Sequence, residues 1–246
     1  MTVSSTASNF VISVVPSLEQ RALGSLWTLE AQAMQVAKLL DTYKFVASWG
    51  IPTKDFLSVT PSAGNELALL ADGQDQQEMA RAKFVEWLGS ERSLAASHEV
   101  QVASIVAEPN VAQRHADLLV KKGISVVMTC GDNGGRAEVS AHSIRWGLWK
   151  LQPTSVIRNG ATWFPLRAGH SSARHVFGPL ADQATIHLQI ELTGRDTCRA
   201  VNNVLLKAAN LIAMNKLVHK SLSSLADELT LGRKARSTES ILRRAA

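Results

Sequence analysis

Short apolar segments of strand length alternate with longer amphipathic segments along most of the chain, and this alternation constrains the fold more than any other feature. The segments predicted as strands are Phe10–Val15, Phe45–Trp49, Glu66–Leu70, Val100–Ala107, Ile124–Met128, Ile144–Leu151 and Thr185–Leu192. Repeated strand–helix units favour a mainly parallel sheet covered by helices. About seven strands in one domain predict an α/β barrel, with an open doubly wound sheet as the alternative.

The remaining segments complete this pattern. Helices are predicted over Ser17–Leu40, Asp75–Ala96, Val111–Lys121 and Thr197–Lys220, and the spacing of Ser224–Asp227 predicts a capping box for a last short helix. Ile51–Pro61 is expected to be a loop or a short helical turn, and Gln152–Pro179 to be irregular. The strict alternation in Thr185–Leu192 predicts a strand buried on one face. No linker marks a domain boundary, so the sequence predicts one domain over residues 8–230 and a basic tail over residues 231–246.

The net charge of +5 is concentrated at the C-terminus. Gly232–Ala246 contains five basic residues and one acidic residue, a local charge of +4, which leaves about +1 for the rest of the chain. A charged terminus without a basic face or an aromatic–basic motif argues against nucleic-acid binding. Phosphate-binding glycine motifs are also missing after the predicted strands.

Cysteine content and hydropathy bear on the compartment. Two cysteines, Cys130 and Cys198, are too few for a disulfide scaffold or a structural zinc site. The N-terminal residues lack the pattern of a secretory signal, and no apolar run approaches the ~20 residues that span a bilayer. These features predict a cytoplasmic protein without a membrane partner, and they are compatible with a homo-oligomer.

Several segments together resemble the polysaccharide deacetylase (NodB-homology) family. The stretch LLDTYKFVASWGIPT, from Leu39 to Thr53, resembles that family's helix–strand unit, and Gly64–Leu70 resembles its Gly-His-Glu-Ile-Ala-x-His strand. LLVKKGISVV and the closing helix over Ser221–Leu229 are similar to later units of the family. The resemblance covers roughly residues 8–230. It implies a distorted (β/α) barrel of the seven-strand type, a carbohydrate ligand and, in active members, a divalent metal.

The chain departs from this family where the metal would be bound. Members carry an Asp-Asp pair after the first strand, where this chain has Val15-Pro16-Ser17-Leu18-Glu19. The two histidines of the family's His-x-x-x-His correspond to Leu70 and Gln74, neither of which is a good metal ligand. We therefore expect no cofactor. A divalent metal such as zinc is expected only if an active hydrolase has been rebuilt on the same scaffold.

Three residues are candidates for catalysis, namely Glu66, Asp132 and His187. Glu66 interrupts an apolar strand, and a buried carboxylate needs either an arginine partner or a ligand. Asp132 follows the strand that ends at Met128, and His187 matches in place the family's late Leu-x-His general acid. A histidine hydrogen-bonded inside the barrel is the alternative for His187.

Three further residues are candidates for ligand binding. Glu19 is the acidic residue that remains where the family has its Asp-Asp pair. Trp49 lies at a strand end, where its ring would suit a sugar, although strand tryptophans also belong to cores. His170 lies in a histidine-containing loop segment.

Three functions follow from these observations. The first is a deacetylase-like barrel that lacks deacetylase chemistry and binds a carbohydrate or another small polar ligand at the C-terminal ends of its strands. The second is an active hydrolase of N-acetyl or other carbon–nitrogen bonds that uses a rebuilt site. The third is a regulatory or protein-interaction module.

Overall fold

The computed structural model describes residues 7–17, 29–59, 64–71, 79–129, 141–158, 176–177, 185–193 and 198–232. Within these ranges the strands are β1 (Ser8–Pro16), β2 (Ser48–Trp49), β3 (Glu66–Ala71), β4 (Val102–Ala107), β5 (Val126–Met128), β6 (Ala141–Arg145), β7 (Leu148–Leu151), β8 (Ser155–Ile157), β9 (Thr185–Leu192) and β10 (Leu217–His219). The helices are α1 (Glu30–Thr42), α2 (Thr53–Val59), α3 (Arg81–Ser97), α4 (Pro109–Arg114), α5 (Ala116–Lys121), α6 (Cys198–Ala213) and α7 (residues 222–232). No helix in these ranges is long and apolar enough to cross a membrane.

All the strands belong to one sheet, whose order is β6-β7-β5-β4-β3-β2-β1-β9-β8, with β10 added beside β1. Every pairing is parallel except that of β6 with β7. The sheet curls into a half-barrel, and the predicted deacetylase-like (β/α) barrel in a single domain is confirmed. Parallel strands require crossovers, and the helices between them supply these.

The outer face of the sheet is apolar and carries the helices. Phe10, Ile12 and Val14 of β1 lie on this face, in the main hydrophobic cluster. One side of α6 is buried in the same cluster, through residues three or four positions apart from Val201 to Leu211. Helix and sheet therefore share one apolar layer, as the helical spacing of the sequence predicts.

The inner face is covered from within the half-barrel by α7. Leu222, Leu225 and Ala226 of this helix are fully buried against inner-face residues of five strands, and each leucine contributes roughly 2 kcal/mol by its burial. Two hydrogen bonds fix the helix across the sheet. Ser223 donates to Glu66, the first residue of β3, and Trp149 Nε1 of β7 donates to Thr230 Oγ1 at 2.9 Å. These two bonds attach α7 to the N-terminal parts of β3 and β7.

The segment predicted as the single strand Ile144–Leu151 is a hairpin, so that prediction was wrong. Its turn is Trp146-Gly147, with φ angles of 51° and 86°. Two consecutive positive φ angles are the signature of a type I′ turn, which usually contains Asn or Gly at its first position. A tryptophan there carries no turn signal in the sequence.

Two predictions near the C-terminus were also wrong. The long helix ends at Ala213 instead of Lys220, because the chain turns at Asn215 and then adds β10 to β1. The cap of the last helix is Ser221, whose Oγ accepts the backbone N–H of Ser224 at 3.2 Å. The predicted capping box was therefore three residues too late.

Candidate functional site

The inner face carries an unusual amount of polar chemistry for a buried surface. The strand registers place one set of polar side chains on this face: Ser13, Ser48, Glu66, Ser104, His187, Gln189 and Glu191. All of them are buried. Buried polar groups are normally hydrogen-bonded. Residues whose polar atoms all have protein partners are therefore structural, and residues with an unbonded atom are candidates for ligand binding.

Glu66 is fully engaged by protein donors. Its carboxylate accepts Ser48 Oγ at 2.8 Å, the hydroxyl of Ser223 and, more weakly, the Ser223 backbone N–H at 3.4 Å. Since Ser223 lies in the first turn of α7, the carboxylate also faces the positive end of that helix. Neither an arginine nor a ligand is needed to satisfy it, and its geometry is that of a clamp between β2, β3 and α7.

His187 is fully buried and neutral at physiological pH. Burial lowers its pKa to about 4, against a smaller opposing effect of the Gln152 backbone. Its Nε2 lies 2.8 Å from Ser13 Oγ. Its Nδ1 has no hydrogen bond of standard geometry to any residue that the structure describes. The interaction of this ring with the Gln152 backbone is thus weaker than a standard hydrogen bond. In the neutral imidazole Nδ1 can donate or accept, depending on the tautomer.

Gln189 and Glu191 continue the same row on β9 towards the C-terminal ends of the strands. Gln189 Nε2 donates to Glu191 at 3.1 Å, and Arg158 Nε donates to the other oxygen of Glu191 at 2.9 Å. Arg158 is about half exposed, so the row reaches the surface at this end. Gln189 Oε1 and Ser104 Oγ lack a partner within the described ranges. We call His187, Gln189 and Glu191 the β9 row.

The neighbouring part of the interior is closed by apolar side chains. Gly50 follows β2, and a Cβ at this position would lie 2.5 Å from Val106 Cγ2 and 2.9 Å from Val15 Cγ1. Both valines belong to the inner cluster. Only glycine therefore allows the chain to pass between β1 and β4. Gly50, Val15 and Val106 contribute no polar side chain to this part of the interior.

Two described residues at positions where the resemblance places the metal site carry hydrocarbon side chains. Leu70 packs against the inner apolar cluster and has no donor atom for a metal. Val15, at the end of β1, is likewise buried in that cluster. Within the described ranges no group of three His, Cys, Asp or Glu side chains could hold a metal ion.

Of the other predicted site residues, one lies in the core and three lie outside the described residues. Trp49 is fully buried in the main core, and its Nε1 donates to Asn65 Oδ1 at 3.2 Å, so no ring face is open for a sugar. Asp132, Glu19 and His170 lie outside the described residues. Glu66 and His187 share the inner face but bond to different partners, with β1 and β2 between their strands.

Sequence reasoning missed Gln189, Glu191 and Ser104. The signal for the first two was the alternation of TIHLQIEL, which was interpreted as one buried and one solvated face. The structure instead buries all eight residues of β9. The alternation thus separates an apolar outer face from a polar inner face, and nothing in the local pattern distinguishes this arrangement from a half-exposed strand.

No model of a known protein family matches the sequence, and no curated protein matches it either. Solved structures match the fold. A protein from Mycobacterium smegmatis named a polysaccharide deacetylase has a TM-score of 0.60 at 12% identity, over 95% of this chain and 93% of its own. The peptidoglycan deacetylase PdaC from Bacillus subtilis has a TM-score of 0.52 at 9% identity, over 96% and 98%.

A third solved structure, Puue allantoinase, has a TM-score of 0.54 at 11% identity, over 92% of this chain and 91% of its own. These identities are too low to transfer an activity, but the coverage extends over nearly the whole of each chain. Together with the inner and outer faces described above, the comparisons give the architecture: the protein has the fold of the polysaccharide deacetylases.

Proposed function

We propose that the protein is a polysaccharide-deacetylase-like barrel protein that binds a carbohydrate or another small polar ligand at the C-terminal ends of its strands, without metal-dependent deacetylase chemistry. The observation that carries this proposal is the β9 row. Its buried atom Gln189 Oε1 has no partner among the described residues, and His187 Nδ1 has no hydrogen bond of standard geometry to any of them. Unpaired buried polar atoms cost about 1–3 kcal/mol each, and a polar ligand or ordered water would offset that cost.

The chemistry of the row suits a ligand rich in hydroxyl groups. Gln189 Oε1 can accept a hydrogen bond from one hydroxyl, and the imidazole of His187 can donate to or accept from another, depending on its tautomer. Glu191, held by Arg158, remains an acceptor with lone pairs to spare. Solved structures with this fold bear the names polysaccharide deacetylase and peptidoglycan deacetylase, which supports a carbohydrate ligand.

The residues that correspond to the metal site support the absence of deacetylase chemistry. Leu70 stands where the family pattern has its first metal-binding histidine, and its side chain is hydrocarbon. The rebuilt hydrolase gains no support from Glu66, whose carboxylate is already bonded to Ser48 and Ser223. His187 is likewise buried against Ser13.

Titration calorimetry with chitotetraose as the probe tests this proposal. We expect saturable binding by the wild type, and a loss of about tenfold in affinity for Gln189→Leu or Glu191→Gln because each removes one hydrogen-bonding or charged acceptor. Glu86→Gln, on the exposed side of α3, is the matched control and should bind as the wild type does. Equal affinity in all four proteins, or no binding, would contradict the proposed site.

The absence of deacetylase chemistry has its own assay. We expect no acetate release from the same probe when zinc, cobalt or nickel is added to the purified protein. Metal-dependent acetate release that is lost in His187→Ala or Asp132→Ala would establish the hydrolase instead.

A further inference from the structure

A basic groove lies outside the half-barrel, between α4 and the β6–β7 hairpin. Its volume is about 930 Å³, within the range of small-molecule sites. The residues that line it are Asn110, Gln113, Arg114, His142, Ser143, Ile144, Arg145 and Lys150. No acidic side chain is among these lining residues. Since α4 begins just after β4 ends, one end of the groove opens at the C-terminal edge of the sheet.

Two of the basic side chains in this groove have no acidic partner among the described residues. Lys150 and Arg145 form no ion pair with any residue in the described parts of the chain. Lys150 is also the cross-strand partner of His142 in the hairpin. This pairing places the Lys150 ammonium and the His142 imidazole side by side in the groove.

The hairpin is shaped to present these side chains. The register shifts by one residue between Ser143 and Arg145, and such a bulge redirects side chains that would otherwise alternate. The guanidinium of Arg145 lies 5.9 Å from the centroid of the Trp146 ring. Trp146 itself is 64% exposed and has a φ of 51°. A bulky residue in the left-handed region is rare, and here the type I′ turn holds the ring at the exposed tip of the hairpin.

We propose that this groove binds an acidic oligosaccharide, whose carboxylate groups pair with Arg145 and Lys150 and whose sugar rings lie near the exposed ring of Trp146. The amides of Asn110 and Gln113 face the same space and suit sugar hydroxyl groups. Aromatic faces next to polar groups are a common platform for rings that carry C–H groups on one side.

The composition of the groove favours an acidic sugar over a nucleic acid. Nucleic-acid sites extend a basic stripe along the phosphate backbone, whereas this groove has two arginines, one lysine and one histidine in a confined volume. The site is also separate from the β9 row on the inner face. Its occupation therefore does not depend on the function proposed above, and the two can fail independently.

Binding of tetragalacturonate to the full chain, measured by titration calorimetry at about 20 mM and about 200 mM NaCl, tests the proposal. We expect saturable binding that weakens at the higher salt. Lys150→Glu and Arg145→Gln should each lower the affinity by about tenfold, because each removes a charge-assisted contact. Lys207→Gln, on the exposed face of α6, removes a positive charge elsewhere and should leave the affinity unchanged.

A folding control and a neutral-ligand control accompany this measurement. Circular dichroism should show that the variants keep the wild-type fold, and Lys150→Gln serves as the milder variant if Lys150→Glu does not fold. Chitotetraose, the neutral probe, should bind the groove variants as it binds the wild type. The proposal is overturned if tetragalacturonate does not bind, if the groove variants bind it as Lys207→Gln does, or if an oligothymidylate binds more tightly at equal salt.

Discussion

The buried polar groups on the two halves of the inner face differ in how completely they are hydrogen-bonded. On the β2–β3 side, Glu66 is buried and every one of its contacts comes from the protein, through Ser48 and Ser223. On the β9 side, His187 and Gln189 are equally buried, yet within the described residues Gln189 Oε1 has no partner and His187 Nδ1 has no hydrogen bond of standard geometry. A complete network stabilises a fold, whereas an incomplete one is costly unless something else completes it.

The difference separates structure from function on one surface. Glu66, a lone glutamate in an apolar strand, is the stronger functional candidate in the sequence, but the structure gives it a structural role. The β9 row, which the sequence pattern alone predicts to lie in a half-exposed strand, is the better candidate for ligand binding. A buried polar group is therefore an indicator of function only when its hydrogen-bonding partners are missing.

The largest expected effect is the loss of the Glu66 clamp. Glu66→Ala leaves the hydroxyls of Ser48 and Ser223 without their acceptor and opens a cavity beneath α7, so we expect a loss of about 3 kcal/mol in the free energy of unfolding. Urea denaturation monitored by circular dichroism measures it. Glu86→Ala is the control for an exposed acid, and a loss below about 0.5 kcal/mol in Glu66→Ala would remove the clamp from the account.

The closed space beside the clamp has a sharp steric limit at Gly50. Gly50→Ala forces a methyl against Val106 and Val15, and we expect a loss of about 2–3 kcal/mol. Gly89→Ala in α3 meets no atom within 4 Å and should instead stabilise the protein by about 0.5–1 kcal/mol. Denaturation of both variants checks the pair. Similar effects in the two would mean that the interior is open at Gly50.

The neutral state of His187 gives the β9 side a pH dependence. The unfolded chain binds a proton near the ordinary pKa of 6.5, but the folded chain does so only near 4. The stability contribution is thus present above pH 6.5 and is lost as the pH falls towards 4. Between about pH 7 and pH 5 the wild type should lose about 2 kcal/mol more than His187→Gln.

Comparison with the variant isolates His187, because burial also lowers the pKa of His115 and of His219. Those histidines contribute equally to both proteins. Unfolding free energies at the two pH values give the difference, and identical pH slopes would mean that His187 is charged or accessible in the folded state.

The smallest effect compares two buried serines on the same face. Ser48→Ala removes a hydrogen bond to a carboxylate and should cost about 1.5 kcal/mol. Ser104→Ala removes a hydroxyl that has no partner in the described structure and should be neutral or slightly stabilising. Thermal or urea denaturation of the two variants tests the distinction. A greater loss in Ser104→Ala would contradict the distinction between a bonded and an unbonded serine on the inner face.

The sequence predicts well what depends on local patterns. The apolar run of Glu66–Leu70 corresponds closely to β3, and the alternation of strands and helices identifies the barrel. The partners of Glu66 could not be predicted, because Ser223 is 157 positions away and its neighbourhood is fixed only when α7 packs across the sheet. The hairpin at Trp146-Gly147 was missed because its turn residue contradicts the usual preference.

One measurement tests the central distinction most directly, namely the thermal midpoint of Gln189→Leu and Ser48→Ala with and without saturating chitotetraose. The account predicts that Ser48→Ala melts earlier than the wild type but keeps the full increase in midpoint on adding ligand, since a ligand that binds only the folded state stabilises it. Gln189→Leu also removes a hydrogen bond to a buried carboxylate, that of Glu191, so it should melt earlier than the wild type as well, but it should show little increase on adding ligand. A full ligand-induced increase in Gln189→Leu, or its loss in Ser48→Ala, would contradict the account.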